Sequence, residues 1–217
     1  MDEGQNLMDE KKAKDLLKDY GISRPDYVVL KQNQIDDIDI QYIVEDSLDY
    51  PLVAKVLGLA HKTEKEAVQV GINTYDELLA TLESFTSKFE EKDILIEQYI
   101  PHDIEFIAGV KKDDIFGHVL MFGGGGIMTE LYQDVAFRKP PIDEKTAEDM
   151  VHSTSIGRVF KDYRGFDYDV SMVKRTMEGL SRLVEDKDGK IKEIDMNPLI
   201  FSRGDPVALD ASIVTSS

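Results

Sequence analysis

One segment near the C-terminal end constrains this chain more than any other, the acidic run Glu193-Ile194-Asp195-Met196-Asn197-Pro198-Leu199. Asp210 follows 13 residues after Asn197, in the segment Ala208-Leu209-Asp210-Ala211. Residues 202–205, Ser-Arg-Gly-Asp, have the composition of a tight turn, so two strands would pair about a centre between residues 203 and 204. This register predicts that Asn197 lies directly opposite Asp210, with their Cβ atoms roughly 5 Å apart.

The predicted hairpin contains a candidate metal site. Side chains alternate along a strand, so Glu193, Asp195 and Asn197 share one face and the two apolar residues between them point to the other. The carboxylates of Glu193, Asp195 and Asp210 would repel one another and raise one another's pKa unless a hard cation such as Mg²⁺ lies between them. An exposed acidic strand with a hydrophobic back explains the same pattern, and Pro198 favours an edge or a bulge.

Composition narrows the class of protein. A chain of 217 residues can form one domain or two closely packed subdomains around a substantial core. Its net charge of −17 argues against binding to nucleic acid or to an anionic membrane, because both need clustered Lys and Arg. The absence of cysteine excludes disulfides, a thiol nucleophile and Cys-ligated zinc, and it fits a cytoplasmic protein. No signal-peptide pattern and no run of 18 apolar residues occurs, so neither secretion nor a membrane span is expected.

Hydrophobic periodicity predicts an α+β chain. Helices are predicted over residues 8–20, 35–48, 75–89, 146–151 and 170–184, and strands over residues 27–30, 51–56, 68–72, 94–100, 104–110 and 116–122, besides the closing hairpin. Thr74 is the expected cap of the third helix. The last three of these strands are predicted to form one antiparallel sheet. We therefore place an N-terminal subdomain at residues 1–91 and a C-terminal subdomain at residues 92–217.

Two segments offer groups that bind phosphate. The run Gly123-Gly124-Gly125-Gly126 follows a strand, so its backbone amides could approach a phosphate, although a flexible turn is the simpler interpretation. It is not a Walker loop, because no Gly-Lys-Ser/Thr follows. Lys55 is the only cation in an apolar strand, so it could reach a nucleotide phosphate or snorkel to solvent from a strand edge.

Two further motifs carry reactive or charged groups. His61 lies in a polar segment between strands, where its imidazole could accept a phosphoryl group, with a plain surface histidine as the alternative. Asp134 and Arg138 lie four residues apart near the glycine run and are suited to hold Mg²⁺ and phosphate oxygens. A surface ion pair of little energetic value is the alternative for these two residues.

Together these segments resemble the nucleotide-binding β subunit of ADP-forming acetyl-CoA (acyl-CoA) synthetases, an ATP-grasp domain related to the β subunit of succinyl-CoA synthetase. The motifs run in order through Tyr20-Gly21-Ile22, Tyr50-Pro51-Leu52-Val53-Ala54-Lys55, His61-Lys62-Thr63-Glu64, Met121-Phe122-Gly123-Gly124-Gly125-Gly126, Asp134 to Arg138, Pro141-Ile142, Tyr163-Arg164-Gly165, Asp195-Met196-Asn197-Pro198-Leu199 and Ala208-Leu209-Asp210-Ala211. The resemblance implies an ATP-grasp fold of two α+β subdomains with nucleotide between them. It also implies reversible conversion of acyl-CoA, ADP and phosphate into the acid, ATP and CoA, through an acyl phosphate and a phosphohistidine.

The resemblance assigns residues to the nucleotide, ATP or ADP. Lys55 looks like the strand lysine on the nucleotide phosphates, and Glu105 sits where the family has an acidic residue on the nucleotide side. Gly124 and Gly125 belong to the glycine run. The residues that look like the hinge holding the adenine are Glu97, Gln98, Tyr99 and Ile100.

The resemblance also assigns residues to Mg²⁺ binding and to catalysis. Asn197 and Asp210 look like the Mg²⁺ ligands, Asp195 looks like a charge partner of the reacting phosphate, and Arg138 would join them. His61 matches the family's second phosphorylated histidine, which receives phosphate from the partner subunit and delivers it to ADP.

One departure from the family follows the histidine motif. The family usually has a glycine pair there, whereas this chain has Lys65-Glu66-Ala67. Loss of the glycines is expected to close off special φ/ψ values, and Glu66 places negative charge near an incoming phosphate.

No segment resembles the CoA-binding or ligase domains of these enzymes, so a separate CoA-binding α subunit is implied and a hetero-oligomer is expected. Two other interpretations remain open. One is a degenerate ATP-grasp module that binds nucleotide in order to regulate or scaffold a partner. The other is a carboxylate–amine ligase that works through an acyl phosphate without a phosphohistidine.

Overall fold

The computed structural model describes residues 5–31, 39–59, 66–126, 134–161, 168–187 and 189–216. The strands within these ranges are β1 Gln5–Met8, β2 Tyr27–Leu30, β3 Leu52–Val56, β4 Val68–Ile72, β5 Ile94–Gln98, β6 Phe106–Asp113, β7 Gly117–Gly124, β8 Val135–Arg138, β9 Ile191–Ser202, β10 Asp205–Ala208 and β11 Ala211–Ser216. The helices are α1 Glu10–Asp19, α2 Ile40–Glu45, α3 Tyr75–Lys88, α4 Glu144–His152 and α5 Val170–Asp186, with a 3-10 helix at Ile156–Phe160. This content confirms the predicted α+β class. In the described part of the chain, no helix has both the length and the apolarity needed to cross a membrane.

The chain divides into two compact units that interleave in sequence. The smaller unit is Pro25–Pro101, and the larger unit combines Met1–Arg24 with His102–Ser217. The division therefore differs from the predicted boundary near Lys92. Strand pairing is the reason, because β1 pairs with β11, whereas β5 pairs with β2 and β3.

The smaller unit is built on a four-stranded antiparallel sheet of order β2-β5-β3-β4. The prediction that residues 94–100 belong to the second sheet is wrong. Ile94, Leu95 and Ile96 are all buried, and a strand buried on both faces has no alternation that would identify its neighbours. α3 begins after Thr74, as predicted, and packs against β3 and β4.

The larger unit contains a seven-stranded antiparallel sheet of order β1-β11-β9-β6-β7-β8, with β10 added beside β9. The two edge strands, β1 and β8, were not predicted from the sequence, because four residues are too few for a clear alternation. α1 begins two residues later than predicted, at Glu10, because the Asp9 side chain accepts a hydrogen bond from Lys12 N at 2.9 Å and caps the helix there.

Side chains of the larger sheet alternate between two faces. α4 packs against β7 and β8, and α5 packs against β6, β7 and β10. Buried side chains on this helix face are Ala108, Val110, Leu120, Phe122, Ile194 and Met196. The other face, which we call the site face, carries Lys111, Val119, Met121, Phe137, Glu193 and Asp195, all of them partly or fully exposed.

Gly109 sets how closely two central strands approach. It lies opposite Asp195 where β6 pairs with β9. A Cβ atom at this position would overlap the carbonyl oxygen of Ile194. Glycine is therefore required here by the close contact between backbones.

We expect Gly109→Ala to lower the free energy of unfolding of the larger unit by about 3 kcal/mol, because β9 must move away from the added methyl group. Gly204→Ala is the control: Gly204 has φ 85° and no atom within 4 Å of an added Cβ, so only its left-handed backbone opposes the change, by about 1 kcal/mol. Urea unfolding followed by circular dichroism measures both losses. Equal losses in the two variants would contradict the close approach.

Candidate functional site

The acidic hairpin forms in the predicted register. The pairs that frame it are Leu199 with Ala208 and Met196 with Ala211. Both pairs belong to one register, and this register sets Asn197 opposite Asp210, as predicted. Pro198 does not shift this register, and its carbonyl oxygen accepts from Leu209 N at 2.9 Å and from Asp210 N at 3.4 Å. The bulge that Pro198 favours lies on the other side of β9, where the pairing with β6 shifts between Met196 and Leu199.

The predicted alternation along β9 is also confirmed. Ile194 and Met196 are buried in the core beneath the helices. Glu193 and Asn197 are exposed, and Asp195 is partly buried. The polar groups of the acidic run therefore share the site face.

The acids of the hairpin affect the ionisation of Asp195. Burial, together with the negative charges of Glu193 and Asp210, raises the pKa of Asp195 to about 6. Within the described ranges, no three His, Cys, Asp or Glu side chains form a metal site by themselves. Asn197 and Asp210 nevertheless fit Mg²⁺, which usually takes one or two protein ligands and completes its shell with phosphate oxygens and water.

Lys55 forms a buried ion pair in the smaller unit. Its Nζ lies 2.8 Å from Oε2 of Glu97, and the two side chains are only 8% and 2% exposed. Glu97 lies opposite Val53 in the pairing of β3 with β5, so the pair is diagonal on one face of this sheet. The alternative of a strand-edge lysine that snorkels to solvent is wrong, because β3 is an interior strand.

The rest of the predicted hinge is fixed to the loop before β3. The Gln98 side chain accepts from Asp49 N at 2.9 Å and donates to Asp49 O at 2.8 Å. Tyr99 N donates to Pro51 O at 3.1 Å, and Ile100 follows directly. The amide group of Gln98 is therefore engaged within the smaller unit, where it holds the hinge in place.

The glycine run is a packing corner, not a flexible turn. β7 extends through Gly124, whose amide donates to Asp134 O at 3.2 Å, and the amide of Gly125 donates to Glu105 O at 2.8 Å. A Cβ on Gly125 would lie 2.7 Å from Phe106 O. The two amides predicted to approach a phosphate are thus already bonded to carbonyl groups.

The carboxylate of Glu105 is held at this corner. His102 Nε2 lies 3.3 Å from its Oε1, and a Cβ on Gly126 would lie 2.8 Å from its Oε2. The side chain remains partly exposed. Glu105, the predicted acidic residue on the nucleotide side, is therefore positioned by His102 and by the lack of a side chain at Gly126.

Asp134 and Arg138 do not act as a pair in the structure. The Asp134 carboxylate accepts from Ser155 N at 2.7 Å and from Ile156 N at 2.8 Å, so it caps the 3-10 helix. Arg138 Nη1 donates to Phe137 O at 2.8 Å. Among the described residues, no salt bridge joins Asp134 to Arg138. This rules out the surface ion pair, and both carboxylate oxygens of Asp134 are engaged in capping a helix.

Arg138 also lies on the wrong face to meet Asp195. It pairs with Leu120, which pairs with Val110, which in turn pairs with Ile194. This row belongs to the helix face, whereas Asp195 lies on the site face. The structure therefore does not bring the predicted catalytic arginine to the acidic hairpin.

The surroundings of Asp195 were not foreseen from the sequence. A concavity of about 510 Å³ extends from Asp195 and Glu193 across the site face to Val119, Met121 and Phe137. The row that connects them runs from Asp195 through Gly109 and Met121 to Phe137. The alternation in residues 117–124 was a usable signal, but without β8 it could not show which face of β7 mattered.

The segment around the predicted phosphoryl acceptor is described only in part. His61 lies outside the described residues, as do residues 162–167. Glu66 adopts φ 53°, a left-handed conformation that favours glycine, so at this position the loss of glycine has not closed off such a conformation. Lys88 Nζ lies 2.8 Å from Oε2 of Glu66, and this pairing lowers the pKa of Glu66 and offsets its charge.

The antiparallel sheet with its acidic hairpin, together with the smaller sheet and its buried lysine, defines an ATP-grasp protein. The family model of the ATP-grasp domain matches residues 1–215, and the chain belongs to this family. It is 31% identical to the acetate–CoA ligase [ADP-forming] II subunit beta of Pyrococcus furiosus, over 98% of this chain and 93% of that protein. Within the family it therefore belongs with the β subunits of ADP-forming acetate–CoA ligases.

Solved structures show the same fold. The dinucleotide-forming acetyl-coenzyme A synthetase 1 of Candidatus Korarchaeum cryptofilum, in complex with coenzyme A, Ca-AMPCP and HgCl+, has a TM-score of 0.81 at 25% identity, over 98% of this chain and 93% of that chain. The same enzyme with coenzyme A and Mg-AMPPCP, its phosphohistidine segment pointing towards the nucleotide binding site, has a TM-score of 0.77 at 25% identity, over 95% and 91% of the two chains. Other relatives are longer single chains, of which this chain spans about 30%.

Asp195 should make stability depend on pH. Because its pKa is raised in the folded protein, unfolding releases a proton, and stability falls as pH rises from about 4 to about 6. A rise from 3.8 to about 6 corresponds to at most about 3 kcal/mol, since partial contact with solvent screens the carboxylate.

We expect Asp195→Asn to remove this fall and to be more stable than the wild type at pH 7. Urea unfolding at several pH values between 4 and 7 measures the slope. Asp205→Asn, in the exposed turn of the same hairpin, is the control. An unchanged slope in Asp195→Asn would show that the carboxylate is not perturbed.

Proposed function

We propose that this chain is the nucleotide-binding β subunit of an ADP-forming acetyl-CoA or acyl-CoA synthetase, an acid–thiol ligase active together with a CoA-binding α subunit. The reaction interconverts acyl-CoA, ADP and phosphate with the acid, CoA and ATP through a phosphohistidine. The observation that carries the proposal is the hairpin register that sets Asn197 opposite Asp210 beside Asp195, in a chain similar to ligases of this type.

The acidic hairpin would bind the Mg²⁺ and the groups that contact the phosphates. Asn197 and Asp210 would hold Mg²⁺, which neutralises charge on the nucleotide phosphates when it is bound. Asp195 lies on the same face of β9 as Glu193, within the proposed phosphate site. Its carboxylate would accept a hydrogen bond from the unphosphorylated ring nitrogen of the phosphohistidine and so orient the imidazole.

Lys55 and the hinge would also bind the nucleotide. Lys55 would contact nucleotide phosphates as a point charge, and the segment from Glu97 to Ile100 would hold the adenine. The 2.8 Å contact with Glu97 fixes the lysine where little solvent reaches it. An incoming phosphate would therefore meet a cation whose position is already set, which lowers the entropy cost of binding.

His61 is the proposed phosphoryl carrier. In the direction of ATP synthesis, a terminal oxygen of ADP attacks the phosphorus, the P–O bond forms, the P–N bond to the imidazole breaks, and the ring is released neutral. The left-handed Glu66 and its pairing with Lys88 support this role, because a backbone conformation suited to glycine persists beside the histidine segment.

A cytoplasmic location stays a prediction from the sequence.

Labelling tests the carrier. We expect the chain, incubated with the CoA-binding α subunit, Mg²⁺ and γ-³²P-labelled ATP, to take up acid-labile, base-stable phosphate that disappears in His61→Ala. His118→Ala, at a histidine of the larger unit whose ring contacts Ile191 O, is the control. If nucleotide binds while His61 stays unlabelled, the chain is a ligase of another kind or a nucleotide-binding regulatory module.

Calorimetry tests the metal site without a partner. We expect the isolated chain to bind Mg-AMPPCP but to make no acyl-CoA. Asp210→Asn should weaken Mg²⁺-dependent binding by on the order of tenfold or more, because an anionic ligand is lost. Asp205→Asn should bind like the wild type, and CoA-dependent turnover by the isolated chain would contradict the two-subunit proposal.

A further inference from the structure

Two large apolar side chains project from the turn between β6 and β7. Ile115 is 85% exposed and Phe116 is 62% exposed. The turn is ordered, because Oδ1 of Asp113 accepts hydrogen bonds from Ile115 N and Phe116 N, both at 2.8 Å. Gly117, with φ 74°, then returns the chain into β7. The two side chains are thus presented by a fixed turn.

The site face continues this apolar surface. Phe137 is 53% exposed, and it lies opposite Met121 in the pairing of β7 with β8. Phe116, Val119, Met121 and Phe137 line the same concavity of about 510 Å³. We call Ile115, Phe116, Val119, Met121 and Phe137 the apolar platform.

The apolar platform is unusual on this chain. In the described part of the structure, the large hydrophobic side chains that are strongly exposed are Leu7, Tyr42, Val70, Ile115, Phe116 and Phe137. Half of them therefore belong to one place, whereas single exposed apolar residues are normal on any protein. A continuous exposed apolar surface of this kind marks a binding surface.

The position and charge of the platform indicate what covers it. Its concavity ends at Glu193 and Asp195, so a molecule seated there reaches the proposed phosphate site. Lys111 lies opposite Glu193 in the pairing of β6 with β9, and Lys112 and Asp113 line the concavity beside it, so charges of both signs border the apolar side chains. The surface therefore fits a protein face that carries apolar side chains bordered by charged groups of both signs.

We propose that the apolar platform is the docking surface for the CoA-binding α subunit. This inference rests on the proposed function. Relatives of this length are β subunits, and the longer relatives carry the same module joined to further polypeptide, so the module works against other protein in both arrangements. Docking beside Asp195 also gives the partner a direct route for a phosphoryl group.

The test is a binding measurement with the purified α subunit from the same organism. Ile115→Ser/Phe116→Ser removes the two projecting side chains, and we expect the Kd for the α subunit to rise at least about tenfold, because buried aromatic anchors dominate such interfaces. Leu7→Ser/Val70→Ser is the matched control, since those side chains are 51% and 54% exposed and lie outside the platform. Affinity for Mg-AMPPCP should be unchanged in both variants, which shows that both are folded.

The outcomes separate this inference from the proposed function. If the wild type forms acyl-CoA with the α subunit and the Ile115→Ser/Phe116→Ser variant binds equally tightly, the docking surface is wrong and the function stands. If the wild type neither binds the α subunit nor turns over with it, the proposed function fails first. Light scattering that shows a dimer of the wild type, lost in the variant, would assign the platform to a second copy and overturn the inference.

Discussion

The register of β9 against the returning chain is the constraint on which the site depends. Leu199 faces Ala208 and Met196 faces Ala211, so one alignment holds on both sides of the proline. A shift of one residue would turn Asp195 into the helix-packed core and bring Ile194 to the surface. The hydrophobic core of the larger unit therefore fixes where the carboxylates point, and the chemistry of the hairpin follows from packing on the opposite face.

Features that depend on local spacing could be predicted from the sequence. The hairpin register follows from a turn and a period of two, and α3 follows from the Thr74 cap and its apolar stripe. Features that depend on residues far away in the sequence could not be predicted from it. β5 is buried on both faces, β1 finds its partner near the other end of the chain, and Asp134 caps a helix that begins 22 residues further on. The role of Glu97 came only from the family resemblance, and neither the strand pattern nor the resemblance indicated that Glu97 contacts Lys55.

Some glycines of this chain are required for packing and not for their backbone conformation, whereas one residue that is not glycine adopts a conformation that favours glycine. Gly109 and Gly125 allow backbones to approach, and neither lies in a left-handed conformation. Glu66, in contrast, adopts a conformation that favours glycine, and its exposed carboxylate is paired with Lys88. A motif that loses its glycine can therefore keep its backbone, at a cost of order 1 kcal/mol or more, and glycines in a glycine-rich motif can be required by close packing.

The order of the two units along the chain affects how the protein folds during its synthesis. Every strand of the smaller unit lies within Pro25–Pro101, so this unit can fold on the ribosome before β6 is synthesised. β1, in contrast, must wait for β11, since Asn6 pairs with Thr215. Such long sequence separation slows folding, and β1 stays open to wrong partners until β11 is synthesised. The acidic hairpin is therefore among the last parts to become ordered, and nascent chains should acquire it only after the nucleotide-side lysine is already in place.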